Sequence, residues 1–399
     1  MQPVQAHRSI HRIHKEPSKV QSDGCTRISA YARQYAIVRE YRPTHFFELG
    51  IIPIAYRPWG AESSGNEPNP AWASLTETKK ESLVIRQLSI IGVAVVLFGT
   101  IATARAERLV LASASYGKNI VAICDLKGKV VWSHKTAGGK GGHAGHHDIQ
   151  LLENGNILFH ENWTVTKEIK LDGTVVWEYD SAKMNGNKGK RVGVHAFQRL
   201  ANGHTMIVES GVGRIIEVDK EGKIHIEVKM ADDRKQSRMG RKLANGNYLI
   251  CTEGKAVTEY NAKSEIVWEY KTRERVFGAT RLKSGNTLIA LGGGNGYIEV
   301  TPKNEVVWEM KQKVPGTEIT LHWTTTVVEL PNGNFYLGNC HAKENNPQMF
   351  EITREKKVVW QINRYDIFGN GLACSQILNE KQSAMVRKLL NKPAGKGAK

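Results

Sequence analysis

The chain of 399 residues has 40% hydrophobic and 24% charged residues, proportions that exclude a collagen-like, low-complexity or wholly disordered polypeptide. Its formal net charge is +17, and residues 107–399 alone carry 43 Lys+Arg against 31 Asp+Glu, a surplus that favours anionic partners through long-range steering. The lysines are scattered along strands and turns, and neither an aromatic-basic RNA motif nor a recognition helix is apparent, which argues against nucleic acid as the partner.

Residues 1–80 show no sustained hydrophobic period and are strewn with Arg, His and Pro; they read as a disordered or untranslated leader. The stretch Leu88 to Ala104, LSIIGVAVVLFGTIATA, follows Lys79, Lys80 and Arg86 and ends at the small-x-small site Ala104-Arg105-Ala106. Basic flank, short apolar run and cleavage site make residues 81–106 a secretory signal peptide. Its internal position implies translation starting near residues 75–84; an uncleaved signal anchor is the rival. The first reading exports the protein to the periplasm or the medium. Only the second attaches it to a membrane.

From His146 onward the sequence repeats. HHDIQLLENGNILFHENWTVTKEIKLDGTVVWEY (His146 to Tyr179) contains four short strand-like runs separated by three turns, two of them marked by the hairpin dipeptides Asn154-Gly155 and Asp172-Gly173. The inner turn recurs as Asn202-Gly203, Asn245-Gly246, Ser284-Gly285 and Asn332-Gly333, at steps of 48, 43, 39 and 48 residues. The outer strand recurs as KVVW, TVVW, KIHI, EIVW, EVVW and KVVW, placing Trp132, Trp177, Ile226, Trp268, Trp308 and Trp360 at one position. Four strands per repeat at this period predict an all-β, six-bladed β-propeller over residues 107–380, with the tryptophans wedged between blades.

The first outer strand is preceded by only two strands, LVLASAS and NIVAICD, while GLACSQIL (Gly371 to Leu378) is an inner-type strand with no blade of its own. The two fragments are expected to form one blade, closing the ring with strands from both ends and leaving no open edge. Residues 381–399 read as a dispensable, Lys-rich disordered tail, and the ring as a monomer. Cys124, Cys251, Cys340 and Cys374 fall in different repeats without metal-ligand or redox spacing, so burial is their expected role.

In a propeller the innermost strands line a central channel, and the loops entering them form one mouth. Counting eight residues back from each inner-turn glycine gives His147, His195, Arg238, Phe277 and Thr325, with His322 three residues before the last. Histidine or arginine thus stands at one register in three successive blades, a convergent cationic constellation. His143, His146, Asp148 and Arg281 are weaker candidates for substrate contacts, the first three lying in or beside the glycine-rich loop AGGKGGHAG. The HxxHHD segment has a donor set suited to zinc or copper, but no fixed-spacing partner motif accompanies it, and no metal site is assigned. His160, His204, His225 and His341 read as surface or supporting residues.

VAICDLKGKVVWSH (Val121 to His134) and LDGTVVWEY resemble the repeat of PQQ-dependent, quinoprotein-like propellers, and HHDIQLLENGNIL is similar to the inner strands of bacterial arylsulfotransferases. The second resemblance implies cofactor-free transfer of a sulfuryl group from a phenolic sulfate ester to a phenol. It implies that a histidine, His322 by its place in a late blade, carries the group covalently, that His147 and His195 assist, and that Arg238 clamps the anion. The chain departs from those enzymes in lacking a separate N-terminal β-domain. An exported, non-catalytic propeller that binds a ligand or an unknown protein is the competing expectation.

Overall fold

The computed structural model describes residues 107–138, 145–231 and 237–391. The leader, the apolar run 88–104, His143 and residues 392–399 lie outside them. The described residues form six four-stranded antiparallel sheets, the blades of a β-propeller. In blade 1 the inner strand is Leu372–Ile377, followed outward by Leu109–Ala114, Ile120–Asp125 and Val130–Lys135. Val110 pairs with Ile377 and Ser113 with Cys374, so strands from both ends of the ring close it. The inner-turn glycines Gly155, Gly203, Gly246, Gly285 and Gly333 all have φ between +82° and +89°, which is why the dipeptide ends so regularly in glycine.

Blades are joined by a repeated polar device. The residue of the third strand that faces the outer-strand tryptophan is a glutamate in every blade but the first: Glu168 faces Trp177, Glu259 faces Trp268, Glu299 faces Trp308 and Glu351 faces Trp360, while Glu217 faces Ile226. All five carboxylates are buried. Asn154 and Asn156 of the inner turn donate to Glu168, Asn245 and Asn247 to Glu259, and Asn332 and Asn334 to Glu351. Each carboxylate then meets a cation of the next blade: Glu168 with Arg199 at 2.9 Å, Glu217 with Lys242 at 2.5 Å, Glu259 with Arg281 at 2.7 Å, Glu299 with Arg354 at 2.7 Å and Glu351 with Arg108 at 2.6 Å. Arg199 and Arg281 also lie over the rings of Trp177 and Trp268.

The tryptophans are half-buried rather than wedged into the core. Their contribution is directional: the indole N–H of Trp132, Trp177, Trp268 and Trp308 donates to Leu171, Lys220, Pro302 and Arg354, each a carbonyl in the third-to-fourth-strand turn of the following blade. Trp360 instead donates to Glu351.

Blade 1 lacks the glutamate, because Ile123 faces Trp132. Its junction with blade 2 is apolar, built from Leu111, Ile123, Leu151 and Ile157, and a helix over Glu380–Leu390 closes it. This corrects the expectation of a disordered tail for residues 381–391. Asn379 and Gln382 form a reciprocal capping box at the helix start. Val386 is fully buried, and Ser383 Oγ accepts from the Leu109 amide at 3.0 Å. Leu389 packs so closely over the inner turn of blade 2 that a Cβ on Gly155 would fall 2.5 Å from it. Among the described residues Cys124, Cys251, Cys340 and Cys374 are free and buried, and burial pushes the Cys124 thiol up to about 12.

Two outcomes follow from these junctions. Truncation after Asn379 removes the helix and uncovers the apolar junction, and is expected to cost about 2–4 kcal/mol for one buried and several half-buried side chains. A lower urea midpoint reads this out; equal midpoints for the truncated and full chains would contradict it. Glu351→Gln places an amide among the donors Asn334, Arg108 and Trp360 and is expected to cost about 3 kcal/mol. Burial pushes the Glu351 carboxyl up, but the amides of Asn334 and Asn332, then Arg108 and Trp360, hold it below the usual carboxylate value. A depressed carboxyl stabilises the fold above its unfolded pKa, and that contribution is lost as the pH falls through the folded value. Part of the wild-type loss of stability below about pH 4.5 should therefore be missing in Glu351→Gln, and identical acid profiles would show that the carboxylate is not responsible.

Candidate functional site at the channel mouth

The inner strands run from the mouth, where they enter from the preceding blade, to the Asn-Gly turns at the other face. At the mouth end three of them are interrupted in the same way. In blade 3 Val194 pairs with Glu209 and Ala196 with Val208, leaving His195 without an opposite residue. In blade 4 Ser237 pairs with Thr252 and Gly240 with Ile250, so Arg238 and Met239 share one partner position. Blade 6 repeats this at Thr325 and Thr326. Such bulges twist the strand and re-aim a side chain. His195 and Arg238 are presented by bulges, and His147 by the irregular approach to the short inner strand Ile149–Leu151.

The geometry brings three of the four principal candidates together. The rings of His147 and His195 stack with centroids 4.7 Å apart and planes 18° from parallel. Trp163 meets both in T-shaped contacts, at 5.1 Å and 5.4 Å, and Phe277 meets His147 in another at 5.7 Å. Both histidines retain 7% exposure. Arg238 Nη1 lies 3.4 Å from His195 Nε2; an arginine can only donate, so this nitrogen presents its lone pair. Arg238 also binds Glu253, which binds Arg275 in turn. Among the described residues, one carboxylate between two guanidiniums leaves this group net cationic. Burial, and then the charge of Arg275, lower the Arg238 pKa to about 10, which keeps it charged at neutral pH.

His322 is not in this group. It precedes the inner strand Thr324–Glu329 and stands in an adjoining cleft of about 620 Å³ with Tyr116, Arg275, Trp323, His341 and Lys343. Its Nε2 pairs with Thr320 Oγ1 at 3.1 Å and its amide donates to Asn339 Oδ1 at 2.6 Å. Burial, and then Lys343, lower its pKa; burial, His322 and Arg275 do the same for His341. Both imidazoles are neutral at pH 7.

The weaker candidates sit elsewhere. His146 is fully buried behind the mouth, its Nε2 2.8 Å from Thr136 Oγ1. Asp148 accepts the amides of Ile149 and Phe197 and a bidentate pair from Arg241, at 2.6 Å and 2.8 Å. With its acceptor positions filled, it ties together the inner strands of blades 2, 3 and 4 and has no capacity left for a ligand. This ion pair lines a channel cavity of about 290 Å³. Arg281 belongs to the opposite face, paired with Glu259, because it ends its inner strand rather than beginning it. His160 is wholly buried against Phe197, and burial holds it at about 3; it is a neutral core residue. Trp163, Glu253, Arg275, Trp323 and Tyr116 were not singled out from the sequence. They stand on loops leading to or from the inner three strands, whose lengths differ between repeats and hide any common register.

No protein-family model matches the chain, and no curated protein matches it. Among solved structures, a protein of unknown function from Bacteroides caccae is similar over 67% of this chain and 97% of its own, at 23% identity and a TM-score of 0.56. A streptogramin B lyase is similar over 65% of this chain and 84% of its own, at 14% identity and a TM-score of 0.46. Virginiamycin B lyase from Staphylococcus aureus, crystallised with quinupristin, gives 66% and 87% coverage at 15% identity and a TM-score of 0.46. The chain is a six-bladed β-propeller, and what it shares with the Bacteroides caccae protein is that fold.

Proposed function

We propose that the channel mouth seats an aromatic organic anion of the aryl sulfate class and that the seat can pass a sulfuryl group from it to a phenol. The observation that carries this reading is the stacked His147–His195 pair with Arg238 against the His195 lone pair. A guanidinium offers planar donors to a three-oxygen anion, and Trp163 and Phe277 offer an aromatic ring a wall. Seating the anion requires only these groups.

Transfer rests further on the resemblance to arylsulfotransferases. In it Arg238 turns from His195 Nε2 to the sulfate oxygens, the freed Nε2 lone pair attacks sulfur as the bond from sulfur to the aryl oxygen breaks, and the phenolate leaves with a proton drawn from His147 or water. An acceptor phenol then attacks the same sulfur, returns its proton to His147 or water, and frees the imidazole as the bond from nitrogen to sulfur breaks. Arg238 neutralises the sulfate oxygens in both steps. His195 replaces His322 as the carrier, since His322 lies in the neighbouring cleft. Export of the protein, proposed from the apolar run 88–104, is independent of this chemistry.

The test uses 4-nitrophenyl sulfate with phenol as acceptor, and benzenesulfonate as an inert ligand measured by calorimetry. Wild type is expected to release 4-nitrophenolate and to gain the mass of one sulfuryl group when the acceptor is withheld. His195→Asn should lose the adduct and keep most of its benzenesulfonate affinity. Arg238→Gln should weaken benzenesulfonate by about 1.5–3 kcal/mol, the value of a charged hydrogen bond, and His322→Ala should keep the adduct. Binding of benzenesulfonate without any adduct would leave a ligand-binding propeller, the reading that the close packing of the imidazoles against Trp163 favours next. Absence of both would overturn the seat itself.

A further inference from the structure

The cleft beside the seat has features that the propeller repeat does not account for. Four of its lining residues that are not glycine have positive φ: Tyr116 at 54°, Asn295 at 52°, Trp323 at 51° and Lys343 at 69°. Ser264, Asn304 and Lys356 also have positive φ, but each occupies the turn position filled by Gly128, Gly173 or Gly222 in other blades, closing the same amide-to-carbonyl bond. Asn295 stands before its third strand as Gly213 and Asn119 do in blades 3 and 1, and Tyr116 matches Gly292 of blade 5, so the repeat accounts for these two; Trp323 and Lys343 have no such repeat position. Bulky residues in this conformation are strained and persist where surrounding groups over-determine them. Here side-chain amides do so: Asn295 Oδ1 accepts from the Trp323 amide at 2.9 Å, Asn370 Oδ1 from the Lys343 amide at 3.0 Å, and Asn339 Oδ1 from the His322 amide at 2.6 Å. The walls are held fixed in strained positions.

What the walls present is consistent in sign. Arg275 lies with Cζ 4.5 Å from the centroid of Trp323, whose other neighbour is His341, stacked at 5.4 Å, and Tyr116 meets His341 edge-on at 5.8 Å. The cleft lining contains Arg275, Lys343 and two histidines, and no carboxylate among the described residues. Arg275 is 56% exposed despite its bond to Glu253, so most of its donors face the cleft and solvent. Glu253 places Arg275 one carboxylate away from Arg238.

We propose that this cleft is a second, preorganised anion station, and that the mouth as a whole takes a dianionic aromatic ligand, one charged group on Arg238 and the other on Arg275 and Lys343. The second half of this statement rests on the seat proposed above; the cleft stands independently. His322 and His341 serve as neutral polar walls that gain charge when an anion enters.

The experiment compares benzenesulfonate with benzene-1,4-disulfonate on the full chain by calorimetry at about 0.15 M salt, where long-range attraction is screened beyond roughly 8 Å. Disulfonate should bind wild type at least tenfold more tightly than monosulfonate. Arg275→Gln and Lys343→Gln should each shrink that ratio severalfold and leave monosulfonate affinity nearly unchanged, and Lys263→Gln on a distant turn should leave the ratio intact. Arg238→Gln should weaken both ligands in parallel. If monosulfonate fails to bind while disulfonate binds and loses affinity in Arg275→Gln, the cleft is upheld and the seat is not. A wild-type ratio near one, or a large ratio untouched by both cleft variants, overturns the proposal. The Lys343→Gln arm guards against disturbance of Glu253 in Arg275→Gln, because Lys343 is exposed.

Discussion

The buried glutamate of the third strand is the constraint on which the ring depends. Five times it gathers the amides of its inner turn, a cation of the following blade, or both, and so converts a local hairpin into a joint between blades. A carboxylate at such depth is tolerable only when its lone pairs are filled, and removing one partner would strand a charge away from water. Directionality distinguishes this joint from simple apolar burial. Turn, strand and neighbouring blade must all be in place before the group is satisfied, which fixes the rotation from one sheet to the next. Where the glutamate is missing, between blades 1 and 2, the chain substitutes an apolar cluster and a capped helix, and that is also where the two ends of the ring meet.

All these joints lie toward the Asn-Gly face. The opposite ends of the inner strands are consequently free to depart from regular pairing, and they do so through bulges at His195, Arg238 and Thr325. The blade joints and the proposed anion seat thereby stand at different ends of the same strands. Asp148 and Arg241, crossing the channel between them, keep three inner strands in register below the bulges.

The blades were legible because their punctuation is local: a glycine at φ near +85° must recur wherever the hairpin recurs, and the outer-strand tryptophan recurs with the carbonyl it reaches. The closing strand was legible by elimination of an unpaired edge. The site was read in part. Counting back from the turn picked out His147, His195 and Arg238, which the structure brings together, because each lies eight residues before its turn glycine, but a bulge leaves no mark in composition, and His322 and Arg281 were placed by proximity in sequence to positions they do not share in space. The terminal helix was missed on its lysines, although Asn379 and Gln382 already spelled its cap. The cleft was invisible, since its residues come from loops of unequal length and its strain is a property of backbone angles alone.

The proposed anion seat joins His147 and His195 at one position of the channel mouth. Histidine ring resonances of the isotopically labelled protein, followed by nuclear magnetic resonance during titration with benzenesulfonate, test it directly. The resonances of His147 and His195 should move together and saturate with one affinity, while those of His204 and His225 on the opposite face stay still. Independent movements, or equal small shifts of all histidines, would contradict a single seat at the channel mouth.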